Sequence, residues 1–123
     1  MAKELAARKD VPVEETWDLS LIYETEELMY QDADKMKKLV QETISNYKGN
    51  LNTAEKINAC LDNYREIVRI ATLVTHYTDL AVSVDYYDAH NMQRNTKIGN
   101  LAAELFSKLS FIESELLEQS DET

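Results

Sequence analysis

Two histidines and one cysteine are the side chains of this sequence best suited to metal binding or catalysis. His76 and Asp79 have a spacing that places both on one face of a helix, where they could bind a metal ion or share a proton. His90 lies in an acidic stretch with Asp85 and Asp88. Two ligands from one helix do not complete a metal site. We therefore interpret His76 as part of a solvated polar face, and His90 as no more than an adventitious metal ligand.

Motifs of the common enzyme classes are absent from the sequence. Neither histidine is followed by glutamate, as the zinc-peptidase motif His-Glu-x-x-His requires. There is no Gly-rich phosphate loop, and no serine or cysteine lies in a nucleophile motif. Cys60, the single cysteine, falls on an apolar helical stripe, so we predict a buried thiol and no disulfide. We predict no catalytic residue, no metal ligand and no cofactor within these residues.

Composition narrows the class of protein. The 123 residues are 44% apolar and 29% charged, with two Gly and one Pro, which favours one domain built from long helices. A net charge of −10 disfavours nucleic acids and anionic membranes. It leaves open a basic partner or a role in solubility alone, and we favour solubility. The first ten residues lack the apolar core of a secretion signal, and we expect a cytoplasmic protein.

Apolar residues at helical spacing predict the elements that position these side chains. Thr25 and Thr53 are candidate N-caps of the first two helices, Asp85 or Asp88 of the third, and Gly49 is the expected stop of the first. Because the connection after Gly49 is short, the second helix should return beside the first. We predict an all-α fold, a long antiparallel helical hairpin plus a third helix, with helices over residues 26–48, 53–84 and 88–112.

Residues 1–24 are predicted to form an extended N-terminal arm, and residues 25–123 the three-helix segment. Pro12 disfavours the helical conformation at the residue before it. The arm contains much apolar surface, including Trp17, without a helical stripe. We interpret Trp17 as a structural anchor rather than a ligand-stacking residue, because a buried Trp contributes a large apolar area.

The apolar stripe of the second helix changes direction along its length. The third helix carries more apolar surface than two neighbouring helices can cover. In the second helix the stripe of Ile57, Leu61, Tyr64, Val68 and Ala71 gives way to one of Ile70, Val74, Tyr77, Ala81 and Val84, rotated by roughly 140°. In the third, Leu101, Leu105 and Ile112 are predicted to form an exposed packing face. This surplus predicts self-association as a dimer, weakened by Leu101→Glu or Leu105→Glu without loss of helix.

Three segments resemble one peptidase family. Val11 to Tyr23 reads Val-Pro-Val-Glu-Glu-Thr-Trp-Asp-Leu-Ser-Leu-Ile-Tyr, Tyr47 to Gly49 reads Tyr-Lys-Gly, and Leu109 to Leu116 reads Leu-Ser-Phe-Ile-Glu-Ser-Glu-Leu. Together they resemble the N-terminal helical region of oligoendopeptidase F and its relatives, the thimet-oligopeptidase-like zinc metallopeptidases. The likeness covers essentially the whole chain.

The resemblance implies a much longer, all-helical parent that hydrolyses oligopeptides in a deep channel. In that family a His-Glu-x-x-His helix and a downstream Glu bind zinc, and the first Glu is the general base. No position here corresponds to those residues, so the resemblance implies a non-catalytic section whose partner is the remainder of the peptidase chain. The tail from Glu113 to Thr123 carries five acidic residues and is predicted to lack both a helix cap and a packing motif, as expected for a section of a longer parent.

Two other classes of protein stay open. One is a free-standing helical interaction module that binds a partner helix without catalysis. The other is a bundle that only self-associates. A His-Glu-x-x-His motif in the downstream coding sequence would decide for the peptidase.

Overall fold

The computed structural model describes residues 8–12, 18–85 and 87–119, and within these ranges it contains helices and no strand. The all-α prediction is confirmed. Four α-helices are present in the described part: α1 (Glu26–Tyr47), α2 (Ala54–Val84), α3 (Ala89–Lys108) and α4 (Phe111–Leu117).

The helix starts follow local side-chain chemistry. Thr25 and Thr53 each accept a hydrogen bond at 3.2 Å from the backbone N–H three residues further on. The Asp88 carboxylate accepts from two backbone N–H groups of the first turn of α3, at 2.9 and 3.4 Å. These bonds satisfy amides that have no partner inside the helix. Gly49 adopts φ +75°, the left-handed conformation that ends α1. The predictions for Thr25, Thr53 and Gly49 are confirmed, and of the two candidates for the third cap, Asp85 and Asp88, the structure has Asp88.

The third predicted helix is wrong at its C-terminal end. The helix expected over 88–112 stops at Lys108, and a separate helix begins at Phe111. Leu109 is 3% exposed and Phe111 is 8% exposed. On a straight helix these two side chains would lie about 200° apart, on opposite faces. The break therefore lets both enter the same core.

The core lies along α2, which packs against both α1 and α3, while α1 and α3 touch each other less. Late in α1, Thr43 Oγ1 accepts a hydrogen bond from Asn63 Nδ2, early in α2, at 3.4 Å. Just before α1, the Tyr23 ring packs edge-on against Tyr77, late in α2, with 5.5 Å between ring centroids. The largest fully buried apolar side chains are Met29, Met36, Val40, Leu51, Ile67, Ile70, Val74 and Ile98.

The described part of the predicted arm is not uniformly extended. It contains two single turns of 3₁₀ helix, at Arg8–Asp10 and Leu19–Leu21. Tyr23, near the C-terminal end of the arm, packs into the core. Its ring is 8% exposed, and its hydroxyl donates a hydrogen bond to Asp32 Oδ2 at 2.8 Å. Burial and the neighbouring Asp32 raise the pKa of Tyr23 well above its usual range. Trp17 lies outside the described residues, and its anchoring role stays a prediction.

Candidate functional site

The histidine of the second helix lies on the polar surface. His76 and Asp79 are both exposed on α2, in agreement with the solvated face predicted for them. Across the ranges that the structure describes, no group of three or more His, Cys, Asp or Glu side chains is placed to hold a metal ion. The spacing of His76 and Asp79 therefore reflects an exposed helix face.

A polar cluster joins the N-terminal ends of α1 and α3. His90 Nε2 lies 2.9 and 3.1 Å from the two carboxylate oxygens of Glu26, so it pairs with α1 rather than with the acidic turn. Arg94 is 7% exposed, and its Nη1 lies 3.5 Å from Glu26 Oε1. Its Nη2 donates to Asn91 Oδ1 at 3.0 Å, and the guanidinium lies 5.0 Å from the centroid of the Tyr77 ring.

We interpret this cluster as structural, because the buried guanidinium of Arg94 contacts other side chains of the same chain. Burial of a cation costs free energy unless charged, polar and aromatic neighbours compensate. Glu26, Asn91 and Tyr77 supply that compensation, although Nε is buried without a hydrogen-bond partner among the described residues. Sequence reasoning missed Arg94. The signal was present, since Arg94 precedes Ile98 by four residues and lies on the apolar stripe of α3.

The only thiol is buried, as predicted. Cys60 is 0% exposed, and burial raises its pKa, with a smaller contribution from Glu115. A raised pKa keeps the thiol protonated near neutral pH, so it is a poor nucleophile and a poor metal ligand. Cys60 is part of the core.

Two of the segments that resemble the peptidase family touch each other. The Gly49 N–H donates to both carboxylate oxygens of Glu115, at 2.9 and 3.0 Å. This bond connects the end of α1 to α4, across 66 positions of sequence. Glu115 lies in the tail that was predicted to lack a packing motif, and this bond packs it against the end of α1. Phe111 and Ile112, just before that tail, are buried.

The exposed face predicted on the third helix is wrong for two of its three residues. Leu105 is 5% exposed and Ile112 is 6% exposed, while Leu101 is half-buried. Two neighbouring helices pack on α3, and the break after Lys108 turns Ile112 back toward the core. Leu105 and Ile112 are therefore not available to form the predicted dimer interface. A Cβ added at Gly99 would meet nothing within 4 Å, so no close helix contact requires a glycine at this position of α3.

An apolar surface does remain open, but it lies elsewhere. We define the α2–α4 groove as the cavity of about 550 Å³ between α2, the end of α3 and α4. Tyr64 and Phe106 form an edge-on pair in its floor, 6.2 Å between centroids. Leu117, at its mouth, is 80% exposed. The remaining apolar lining residues are Leu61, Leu109, Ile112 and Leu116.

A second groove offers a comparison within the same molecule. The α1–α3 groove, of about 510 Å³, is lined in part by Val40, Leu101 and Leu105. Its edges carry Lys37 and Lys108, and the latter pairs with Glu104 at 3.1 Å. Its surface is therefore more polar than that of the α2–α4 groove.

Helix α2 is long and apolar enough to cross a membrane, by length and composition alone. The core helix of a soluble protein meets the same criteria. Eight residues of α2, spread from Cys60 to Ala81, are buried against the rest of the chain.

No protein-family model, no curated protein and no solved structure matches this chain. The likeness to oligoendopeptidase F therefore rests on the three sequence segments alone.

Proposed function

We propose that this chain is the non-catalytic N-terminal helical section of an oligoendopeptidase F-like zinc metallopeptidase that hydrolyses oligopeptides in the cytoplasm. The observation that carries the proposal is the Thr-Trp-Asp-Leu segment within Val11 to Tyr23, combined with Leu-Ser-Phe at Leu109 to Phe111. In this proposal α1 and α2 form the long antiparallel hairpin, α3 is the third helix and residues 1–24 are the arm.

The positions of the resembling segments support a structural role. Tyr23, at the end of the first segment, packs on Tyr77. The Tyr-Lys-Gly segment and the Leu-Ser-Phe segment meet through the bond from Gly49 to Glu115. These are points where the chain changes direction, and residues there determine how helices pack. Among the described residues of these segments, the contacts of Tyr23, Gly49 and Glu115 are packing and backbone contacts.

The chemistry would belong to the remainder of the parent. In a zinc peptidase the metal activates a water molecule and polarises the peptide carbonyl. The residues of this chain would supply the wall against which the catalytic part of the protein packs. We therefore expect the 123 residues alone to bind no stoichiometric zinc and to cleave no peptide.

Reconstitution from two pieces tests the proposal. The chain would be co-expressed with an oligoendopeptidase F that lacks the corresponding N-terminal section. We expect the two pieces to co-purify and cleavage of a fluorescence-quenched oligopeptide to increase, with zinc found only in the larger piece. A Leu105→Glu chain, which we expect to misfold, is the matched control and should not restore cleavage.

The proposal is wrong if the chain neither binds the larger piece nor raises its activity. It is also wrong if the chain alone cleaves the peptide. An in-frame His-Glu-x-x-His in the downstream coding sequence provides a separate check that needs no protein.

A second candidate is a free-standing helical interaction module. The observation that favours it is the α2–α4 groove, with Leu117 80% exposed at its mouth. A coding sequence that stops without a peptidase motif would favour this candidate over the first.

A further inference from the structure

The α2–α4 groove combines an apolar floor with an open mouth. Leu61, Tyr64 and Phe106 are half-buried, so they present apolar atoms to solvent without belonging fully to the core. Val68, one helical turn beyond Tyr64, is 36% exposed. From Leu61 to Val68 the exposed stripe of α2 extends about 10 Å at the α-helical rise. This is enough to accept two turns of a helix laid along it.

The edge of the groove is acidic. Glu113 lines it, and residues 110–119 contain Glu113, Glu115 and Glu118 with no Lys or Arg. Along the adjoining part of α2 both arginines are paired within their own helix: Arg65 lies 2.9 Å from Asp62, and Arg69 lies 2.6 Å from Glu66. Neither arginine is therefore an unpaired cation beside the groove, and α4 contains no Lys or Arg.

The α1–α3 groove shows that this charge pattern is particular to one side. Lys37 and Lys108 line it together with Glu104, so both signs of charge are present at its edge. The two grooves have similar volumes but differ in charge and in apolar surface. A ligand attracted by an apolar floor and a negative edge should therefore distinguish them.

We propose that the α2–α4 groove docks an amphipathic helix of a partner protein, with apolar residues facing the floor and Lys or Arg residues along its flanks. Such helices present anchors at i, i+3, i+4 and i+7 to a groove. Opposite charges at the edge accelerate association and select the partner. This inference does not depend on the peptidase proposal.

A second copy of this chain is a poorer occupant. It would bring another net charge of −10 and the same acidic edge. Like charges brought together across an interface oppose association. Charge complementarity therefore favours a basic partner over self-association.

Binding of a defined peptide tests the proposal. The probe is a capped, fluorescein-labelled peptide of about 15 residues, long enough to form a helix on binding, with Leu at the four anchor positions and Lys at the flanks. A second peptide carries Glu in place of every Lys, and a third is a scramble of the first. Fluorescence anisotropy with the full chain should show saturable binding of the first peptide only, weaker at high salt.

Two variants locate the binding surface, and two others control for it. Leu117→Ser removes an exposed anchor contact, and Glu113→Lys reverses the charge at the edge. Leu117→Ser should weaken peptide binding about tenfold, and Glu113→Lys should weaken it several-fold. The controls are Leu28→Ser, 41% exposed in the first turn of α1, and Glu104→Gln, at the α1–α3 groove. Both should bind the peptide within about twofold of the original chain.

Three outcomes would overturn the proposal. Binding of the Glu-flanked peptide or the scramble with equal affinity would show that groove and charge do not select the ligand. Equal loss in Glu104→Gln and Glu113→Lys would show non-specific attraction to an acidic protein. Sedimentation showing a dimer that Leu117→Ser abolishes would make the occupant a second copy. Circular dichroism of each variant verifies that the fold is retained.

Discussion

The two halves of α2 carry similar apolar stripes but lie in different surroundings. In the second half, Ile70 and Val74 are fully buried and Ala81 is 2% exposed. In the first half, Leu61 and Tyr64 are half-buried and line the α2–α4 groove. A stripe of apolar residues thus shows where a helix is able to pack and not whether another element covers it. The covered residues stabilise the fold, whereas Leu61 and Tyr64 leave apolar surface that no other element covers completely.

A charge introduced at a buried position should cause the largest loss of stability among these variants. Leu105→Glu places a carboxylate where the side chain is 5% exposed. Burial of a charge without a partner is strongly unfavourable, and we expect a loss of about 4–5 kcal/mol in the free energy of unfolding. Urea denaturation followed by circular dichroism measures it. Leu101→Glu, at a half-buried position of the same helix, should lose clearly less. Equal stability of Leu105→Glu and the original chain would restore the exposed face predicted from sequence.

Two adjacent residues of α2 allow a direct comparison of covered and open positions. Ile67 is fully buried and Val68 is 36% exposed. Ile67→Ala should lower the free energy of unfolding by about 2–5 kcal/mol, because it leaves a cavity. Val68→Ala should cost less than about 1 kcal/mol. Similar losses for the two variants would mean that Val68 is covered in solution, and thermal melts of both proteins would show it.

The first residues of α2 and α4, two helices that border the α2–α4 groove, also differ in their capping. Thr53 caps α2 through its side chain, whereas Ser110, at the start of α4, makes no side-chain cap bond. Thr53→Ala should cost about 1 kcal/mol of unfolding free energy. Ser110→Ala should change it by about 0.5 kcal/mol or less. Chemical denaturation of the two variants side by side measures the difference, and a larger loss for Ser110→Ala would contradict the assigned caps.

The smallest effect on stability is expected at the mouth of the open groove. Leu117 is 80% exposed, so Leu117→Ser should shift the free energy of unfolding by no more than about 0.5 kcal/mol. The same substitution should produce the largest loss of peptide binding. A marked drop in melting temperature would show instead that Leu117 belongs to the core.

Local patterns in the sequence determined the parts of the fold that depend on near neighbours. The N-caps at Thr25, Thr53 and Asp88, the left-handed Gly49 and the all-helical class follow from contacts within about four residues. The exposed His76 and the buried Cys60 follow from which face of a helix a residue occupies. The predicted change of packing face along α2 is wrong, because the buried residues from Cys60 to Ala81 lie on one face of the helix.

Only the tertiary structure decided what covers each apolar face. The pairing of His90 with Glu26 spans 64 positions of sequence, and that of Gly49 with Glu115 spans 66. No local pattern contains either pairing. The break after Lys108 has the same origin, because it exchanges a straight helix for the burial of Leu109 and Phe111 in one core. Spacing along a helix is set by bonds between near neighbours, whereas coverage depends on elements that come together only when the chain folds.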